Sequence, residues 1–160
     1  MRIAATTSQR VRAWLALAPA LVLCAWFAAV PARGAGTEEA APPENLDYQA
    51  GLEAIKASDW KRAISSLNVA LAAEPTNADL QNWLGYSYRH EGKYDEALDH
   101  YRAALDLNPK HRGAHEYAGE TYLLMGNKAK AREHLAALER ICGKQCDEYR
   151  DLAKAIATAK

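Results

Sequence analysis

The most reactive pair of side chains in this 160-residue sequence is Cys142 and Cys146. Three residues separate them, whereas thiol-exchange enzymes place two residues between their cysteines, near a βαβ unit. In an oxidising compartment, two cysteines this close are expected to form a disulfide. The spacing therefore favours a structural disulfide, with thiol exchange and a free or metal-bound pair as the alternatives. Haem attachment is excluded because the sequence contains no Cys-x-x-Cys-His.

The histidines offer a second set of candidate ligands. His111 and His115 are followed by Glu116, an order that differs from the His-Glu-x-x-His of zinc proteases. A metal site needs a third ligand, and the sequence marks none, so we predict a turn and a helix start here and no metal. The other three histidines stand among charged neighbours and are predicted to be solvated: His90, His100 and His134.

No group of residues has the pattern of a catalytic centre. Ser65 and Ser66 lack the flanking glycines of a nucleophile elbow. The neighbouring acids Asp95 and Glu96 fall in a predicted first helical turn, where carboxylates favour the helix dipole. The sequence therefore predicts a protein that is not an enzyme and has no cofactor.

The start of the chain has the features of an export signal. Arg2, Arg10 and Arg12 precede an uncharged apolar stretch from 13 to 30, and small residues follow. This order is typical of a secretory signal peptide over 1–32, cleaved after Ala32. The alternative is an uncleaved anchor, because the stretch reaches the short end of the roughly 17–25 residues that span a bilayer. No N-glycosylation sequon or cell-wall anchor is present, which favours a bacterial periplasm.

Removal of the signal changes the charge of the protein. The whole chain has 20 basic and 20 acidic residues. Without the three arginines, residues 33–160 keep 17 basic residues against 20 acidic ones, a net charge of −3. A mildly acidic protein lacks the basic surface that nucleic acids require. Residues 33–43 combine Gly, Ala, Pro and Glu without an apolar period and are predicted to be a flexible linker, and no further membrane span is expected in the mature form.

The elements that carry these residues are organised by a period of 34. Gly51, Gly85 and Gly119 are spaced by this interval, as are Ala63, Ala97 and Ala131. In the middle unit, helical spacing predicts a first helix over 78–91 that Gly92 ends, and a second helix that Asn108-Pro109 ends. We expect the small residues Gly85 and Ala97 to lie opposite each other where the two helices cross.

The middle unit resembles the tetratricopeptide repeat, through the residues Leu84, Gly85, Tyr88, Gly92, Tyr94, Ala97, Tyr101, Ala104 and Pro109. The flanking units match more loosely, with Ser58 and Lys128 among the departures. The resemblance implies an all-α fold, an α-α superhelix of three helix pairs over 44–77, 78–111 and 112–145 with a concave groove. Residues 146–160 hold apolar residues at helical spacing and are predicted to form a capping helix.

In stacks of this kind the first helix of each pair lines the groove. The residues so placed are Asn45, Tyr48, Leu52, Ile55, Asp79, Asn82, Trp83, Tyr86, Arg89, Glu116, Tyr117, Glu120 and Leu123. The resemblance therefore implies an exported adaptor that binds a protein or peptide partner. The lysines of repeats that hold a chaperone's C-terminal carboxylate are missing, and Asp79, Glu116 and Glu120 oppose such a ligand. The alternatives are thiol-disulfide exchange through the two cysteines and a structural role as a homo-oligomer.

Overall fold

The computed structural model describes residues 45–159, which form seven α-helices and no strand. The predicted signal peptide and linker lie outside these residues. The helices are α1 (Leu46–Lys56), α2 (Trp60–Ala73), α3 (Ala78–His90), α4 (Tyr94–Leu107), α5 (Arg112–Leu124), α6 (Lys128–Cys142) and α7 (Asp147–Thr158). The predicted all-α helical-repeat fold is confirmed. None of the helices between residues 45 and 159 has both the length and the apolar character to cross a membrane.

Five of the seven helices begin at a residue whose side chain caps the first turn, and a residue with positive φ follows the first helix of each pair. The side chains of Asn77 and Asn127 accept hydrogen bonds from the first-turn backbone N–H groups of α3 and α6, which otherwise lack a partner. Gly92 follows α3 with φ 78°, as the sequence predicts, and Gly126 has φ 77° at the equivalent place. Ser58 keeps the same turn in the first unit with φ 56°, a conformation that costs a non-glycine residue energy. The 34-residue period therefore extends to backbone conformation.

Burial is divided among three clusters along the stack. The first cluster joins α1, α2 and α3, the second joins α4 and α5, and the third joins α6 and α7. Each cluster contains the second helix of one pair and the first helix that follows it. Leu67, Tyr101 and Leu138 are fully buried, one in each cluster. A stack of this kind is stabilised by interfaces between neighbours, and α7 supplies the last of them through Leu152 and Ile156.

The repeated glycines allow close packing of helices. A Cβ placed on Gly85 would lie 2.6 Å from Cε1 of Tyr101, and the three nearest atoms all belong to that ring. The Tyr101 ring therefore occupies the space that the missing side chain of Gly85 leaves. Gly119 departs from the period, since its close neighbour is Leu152 of α7. The capping helix thus packs directly on α5.

Candidate functional site

The structure brings three of the predicted groove residues, Trp83, Tyr86 and Tyr117, together with two others, Trp60 and His90. We call these five residues the aromatic cluster. The Tyr86 ring lies 5.7 Å from Trp83 and 5.1 Å from Tyr117, measured between centroids. The Trp83 and Tyr86 rings meet edge to face at 78°, a geometry that aromatic pairs prefer. α3 therefore carries the centre of this surface, and α5 continues it.

Arg89 crosses the aromatic cluster and is fixed from three sides. Its guanidinium carbon lies 5.2 Å from the Tyr86 centroid and 5.4 Å from the Tyr117 centroid. Its Nη1 donates to Oε2 of Glu120 at 2.5 Å. The side chains of Arg89 and Glu120 are only 13% and 25% exposed, so solvent screens this pair less than a surface pair. The two residues form a rigid, nearly neutral unit between α3 and α5.

Tyr48 and Trp83 extend the cluster toward α1. The indole Nε1 of Trp83 donates to the Tyr48 hydroxyl at 3.2 Å. Both rings also pack against the first buried cluster, and burial raises the pKa of Tyr48. These two side chains therefore hold α1 against α3 in addition to lining the inner face.

Acidic groups collect beside the aromatic cluster on α5. Burial, together with the charges of Glu120, Asp151 and Glu148, raises the pKa of Glu116 to about 7, and Arg89 partly opposes this rise. Burial likewise raises the pKa of Tyr117 to about 12, with Glu116 as the next cause. A carboxyl group that loses its proton near neutral pH makes this part of the surface sensitive to a neighbouring cation.

A cavity of about 430 Å³ adjoins Arg89 and Glu120. Its remaining lining residues come from the end of α5 and from α7 with its C-cap: Leu123, Leu124, Ala155, Thr158 and Ala159. Leu124 is 56% exposed, which is high for a leucine. The sequence predicts Leu123 at the groove, but the contribution of α7 could not be foreseen without knowing that α7 packs on α5.

The remaining predicted site residues have other surroundings. Asn45 caps α1 by accepting from the Tyr48 backbone N–H at 3.0 Å, and it donates to Oε1 of Glu74 at 2.6 Å. Asp79 is exposed and meets Nε2 of His111 at 3.0 Å. Asn82 is only 4% exposed, and its Oδ1 has no hydrogen-bond partner. Leu52 is half-buried on α1.

The prediction that three histidines are solvated is wrong for His100 and His134, whereas His90 is exposed as predicted although its ring has a stacking partner. His90 stacks on Trp60 with centroids 4.3 Å apart and an interplanar angle of 14°. His100 hydrogen-bonds to Oε1 of Gln81 at 2.7 Å and stacks on a tyrosine. His134 meets His115, with their Nδ1 atoms 3.0 Å apart. Charged sequence neighbours misled the prediction, because on a helix they point away from the face that carries the imidazole.

The cysteines form the link between the last repeat helix and the cap. Cys142 ends α6, Cys146 is the N-cap of α7, and their Cα atoms lie 5.9 Å apart, within the range that a disulfide spans. Glu148 brings a carboxylate oxygen within 4.8 Å of both sulfur atoms. The geometry thus suits a covalent link at the point where α7 leaves α6.

The helices form stacked antiparallel pairs, and the first helix of each pair lies on the inner face. This arrangement defines the chain as a helical-repeat protein. Two sequence models of the tetratricopeptide repeat match it, one over residues 48–111 and the other over residues 88–156. The chain therefore belongs to the tetratricopeptide repeat family.

The sequences of two curated relatives match only a part of this chain. The protein O-mannosyl-transferases Tmtc3 of Drosophila melanogaster and TMTC3 of Homo sapiens are each 29% identical over 75 residues. That stretch covers 47% of this chain and 8% of each relative. The similarity thus concerns a small part of these much longer proteins.

Solved structures share the fold across most of the chain. The TPR2B domain of yeast Sti1, in a pHsp70 complex, has a TM-score of 0.67 at 17% identity and covers 71% of this chain and 93% of that domain. The type III secretion chaperone SycD of Yersinia enterocolitica was solved with a peptide of the translocator YopD. It has a TM-score of 0.63 at 17% identity, covering 71% of this chain and 86% of SycD.

Proposed function

We propose that this protein is a non-enzymatic adaptor that binds a peptide or protein partner on its concave face. The observation that carries the proposal is the continuous aromatic surface of Trp83, Tyr86 and Tyr117, with Arg89 fixed across it. Tyr, Trp and Arg dominate binding energy at protein interfaces. Because Arg89 is already held by Glu120, binding would cost little additional side-chain entropy.

The surroundings of potential nucleophiles and bases support a binding role. The buried hydroxyls of Ser87 and Thr121 donate to backbone carbonyls one turn earlier in their own helices. His111 accepts from the Ala114 backbone N–H and serves as a helix cap. These three side chains therefore stabilise the helices through hydrogen bonds to the backbone. Peptide complexes of proteins with the same fold, such as SycD, agree with this proposal.

Replacement of Tyr86 by Ala tests the proposal. A library of random peptides displayed on phage is selected against the wild-type protein, and the recovered peptides are measured by fluorescence anisotropy. Tyr86→Ala should weaken their binding by about tenfold or more, the effect expected of an interface anchor. Tyr94→Ala, a tyrosine substitution at the start of α4, is the matched control and should leave binding unchanged. Equal binding to the Tyr86→Ala protein, with its helicity intact by circular dichroism, would contradict the proposal.

We also propose that the adaptor is exported to a bacterial periplasm. The support is the order of basic, apolar and small residues in 1–32. Cell fractionation followed by mass determination tests it. A periplasmic chain beginning at Arg33 is expected, whereas a membrane-bound chain of full mass would favour the uncleaved anchor.

We infer that Cys142 and Cys146 form a structural disulfide in that compartment, since the Cα atoms lie 5.9 Å apart. Closing so short a loop contributes about 2 kcal/mol by chain-entropy arithmetic. A reduction potential below about −300 mV is expected of a structural bond. A higher potential would instead favour thiol exchange.

A further inference from the structure

The helices α5 and α7 lie side by side and run in the same direction. Near their N-termini, Nε of Arg112 is 3.4 Å from Oε1 of Glu148. Further along, Gly119 is in close contact with Leu152. At their C-terminal ends, residues of both helices line the 430 Å³ cavity. These contacts show that the two helices pack along their length, and the surface over their shared edge, from Glu148 to the cavity, is what we call the α5–α7 channel.

The N-terminal half of the α5–α7 channel is acidic. Glu116 and Glu120 on α5 lie near Glu148 and Asp151 on α7, since each of the other three acids acts on the Glu116 carboxyl. Two of these acids are paired with arginines, Glu120 with Arg89 and Glu148 with Arg112. Asp151, and Glu116 when it is ionised, add negative charge beyond these two pairs. A cationic group would complement this half of the channel.

The C-terminal half is an open space in which aliphatic side chains lie beside polar groups. The aliphatic side chains of Leu123, Leu124 and Ala155 form much of the cavity lining, and the Arg89–Glu120 pair closes one side. Leu124 is largely exposed on this wall. The volume of about 430 Å³ exceeds the size of one aliphatic side chain, so the cavity can receive such a group together with adjoining backbone.

The spacing of the two halves matches an extended peptide. On α7, Ala155 of the cavity lining follows Asp151 of the acidic half by four residues. Four residues advance about 6 Å along a helix. Two residues of an extended strand advance about 7 Å and place their side chains on the same face. A basic residue and an apolar residue two positions apart therefore reach the two halves together.

We propose that the α5–α7 channel selects a partner segment that carries Lys or Arg two positions from Leu, Ile or Met. The basic side chain binds between Glu116 and Asp151, and the apolar side chain enters the cavity. This proposal rests on the proposed function and adds the chemistry of the partner to it. Tyr86 and Tyr117 lie beside the channel and contact the flanking residues of the segment.

The ionisation of Glu116 should make the affinity for the partner depend on pH. Its carboxyl group faces Glu120 on its own helix, Arg89 from α3, and Glu148 and Asp151 from α7. The pKa of Glu116 is about 7 in the free protein, and a bound cation lowers it. Binding therefore releases a proton near neutral pH, so affinity should rise between pH 6 and pH 8.

The same peptide library tests this proposal, because the sequences it yields are informative in themselves. Enrichment of Lys or Arg two positions from an aliphatic residue is expected. A fluorescein-labelled peptide with a Lys-Ala-Leu centre and Gly-Ser flanks should bind about tenfold more tightly than its Glu-Ala-Leu and Lys-Ala-Ser counterparts. Groove-dependent peptides without a basic residue would overturn this proposal and leave the proposed function intact. A library with no groove-dependent peptide would contradict both.

Channel variants locate the two contacts. The double variant Glu116→Gln and Asp151→Asn should weaken binding of the Lys-Ala-Leu peptide about tenfold and remove its pH dependence. The control Asp106→Asn, an exposed acid on α4, should change neither. Unchanged affinity in the double variant would overturn the proposal.

Substitutions on α7 test the cavity half. Ala155→Leu should abolish the preference for the apolar residue, whereas Ala157→Leu, exposed on the same helix, should not. A preference that survives Ala155→Leu would refute the cavity contact. Light scattering is recorded for each variant, because self-association that disappears with Ala155→Leu would identify a second copy of the chain as the occupant and overturn the proposal.

Discussion

Acid should destabilise this fold through a buried histidine, and removal of that histidine should reverse the effect. His134 is held between α5 and α6, where its Nδ1 lies 3.0 Å from Nδ1 of His115 and its ring stacks on Tyr122. Because Nε2 of His115 lies 3.2 Å from the Pro109 carbonyl oxygen, that nitrogen carries the His115 proton. His134 therefore donates from Nδ1 to a neutral His115, and any further proton would place a positive charge on this partly buried pair.

The magnitude follows from the pKa of His134. Burial, followed by electrostatic interaction with His115 when both rings are protonated, lowers the pKa of His134 to about 4, against about 6.5 in an unfolded chain. Below pH 6.5 the unfolded chain therefore binds a proton that the folded protein does not bind. The free energy of unfolding falls as the pH drops from 6.5 toward 4. At pH 5 the difference amounts to about 2 kcal/mol, whereas at pH 7.5 it is close to zero.

The perturbation is His134→Gln, whose amide can still donate to His115 but cannot titrate. At pH 7.5 the variant should be less stable by about 1 kcal/mol, because it loses ring stacking and optimal hydrogen bonding. At pH 5 it should be more stable than the wild type by about 1 kcal/mol, because it no longer carries the proton penalty. Urea unfolding followed by circular dichroism at both pH values measures the two differences.

The decisive result is the change in the order of stability, in which the variant is less stable than the wild type at pH 7.5 and more stable at pH 5. Arg132→Gln, an exposed substitution on the same helix, is the control and should leave the pH dependence of stability unchanged. If His134→Gln and the wild type lose the same free energy of unfolding between pH 7.5 and pH 5, His134 does not carry the penalty and the argument from burial is refuted.

Two further substitutions test the packing of the stack. Gly85→Ala places a Cβ 2.6 Å from the Tyr101 ring, so overpacking should cost about 1–3 kcal/mol in urea unfolding despite the better helix propensity of alanine; a more stable variant would show that the ring moves freely. Asn45→Ala removes the cap bond to the Tyr48 backbone N–H and should cost about 1 kcal/mol in urea unfolding; Asn45→Ser, which keeps a cap acceptor and adds no charge beside Glu74, should cost less, and equal losses in the two variants would contradict the role of the cap.

The period of small residues carried most of the information about the fold. Gly85 and its equivalents occur at helix crossings, where only a hydrogen fits, and this requirement leaves a mark in the sequence every 34 residues. What the period could not reveal is the neighbour that fills the space. Tyr101 does so for Gly85, whereas Leu152 does so for Gly119, because α7 is not followed by another repeat and approaches α5 by its own route.

The site was predictable only where it follows the period. The first-helix face predicted Tyr86, Arg89, Tyr117 and Glu120, and the structure brings these four side chains together. The stacking of His90 on Trp60 was missed, because Trp60 lies on the second helix of another pair. Side chains that meet across units have no fixed separation in sequence, so no local pattern reports them.

The capping helix is the element in which fold and proposed function depend on each other. Leu152 and Ile156 of α7 bury the last apolar face of the stack, and Ala155, between them in sequence, lines the cavity beside Arg89 and Glu120. A helix whose task was only to solvate the end of the stack would need no small residue at that position. Because α7 packs on α5 through Gly119, its position determines the width of the channel as well as the stability of the third repeat. A change that loosens α7 should therefore weaken partner binding before the first two repeats lose any structure.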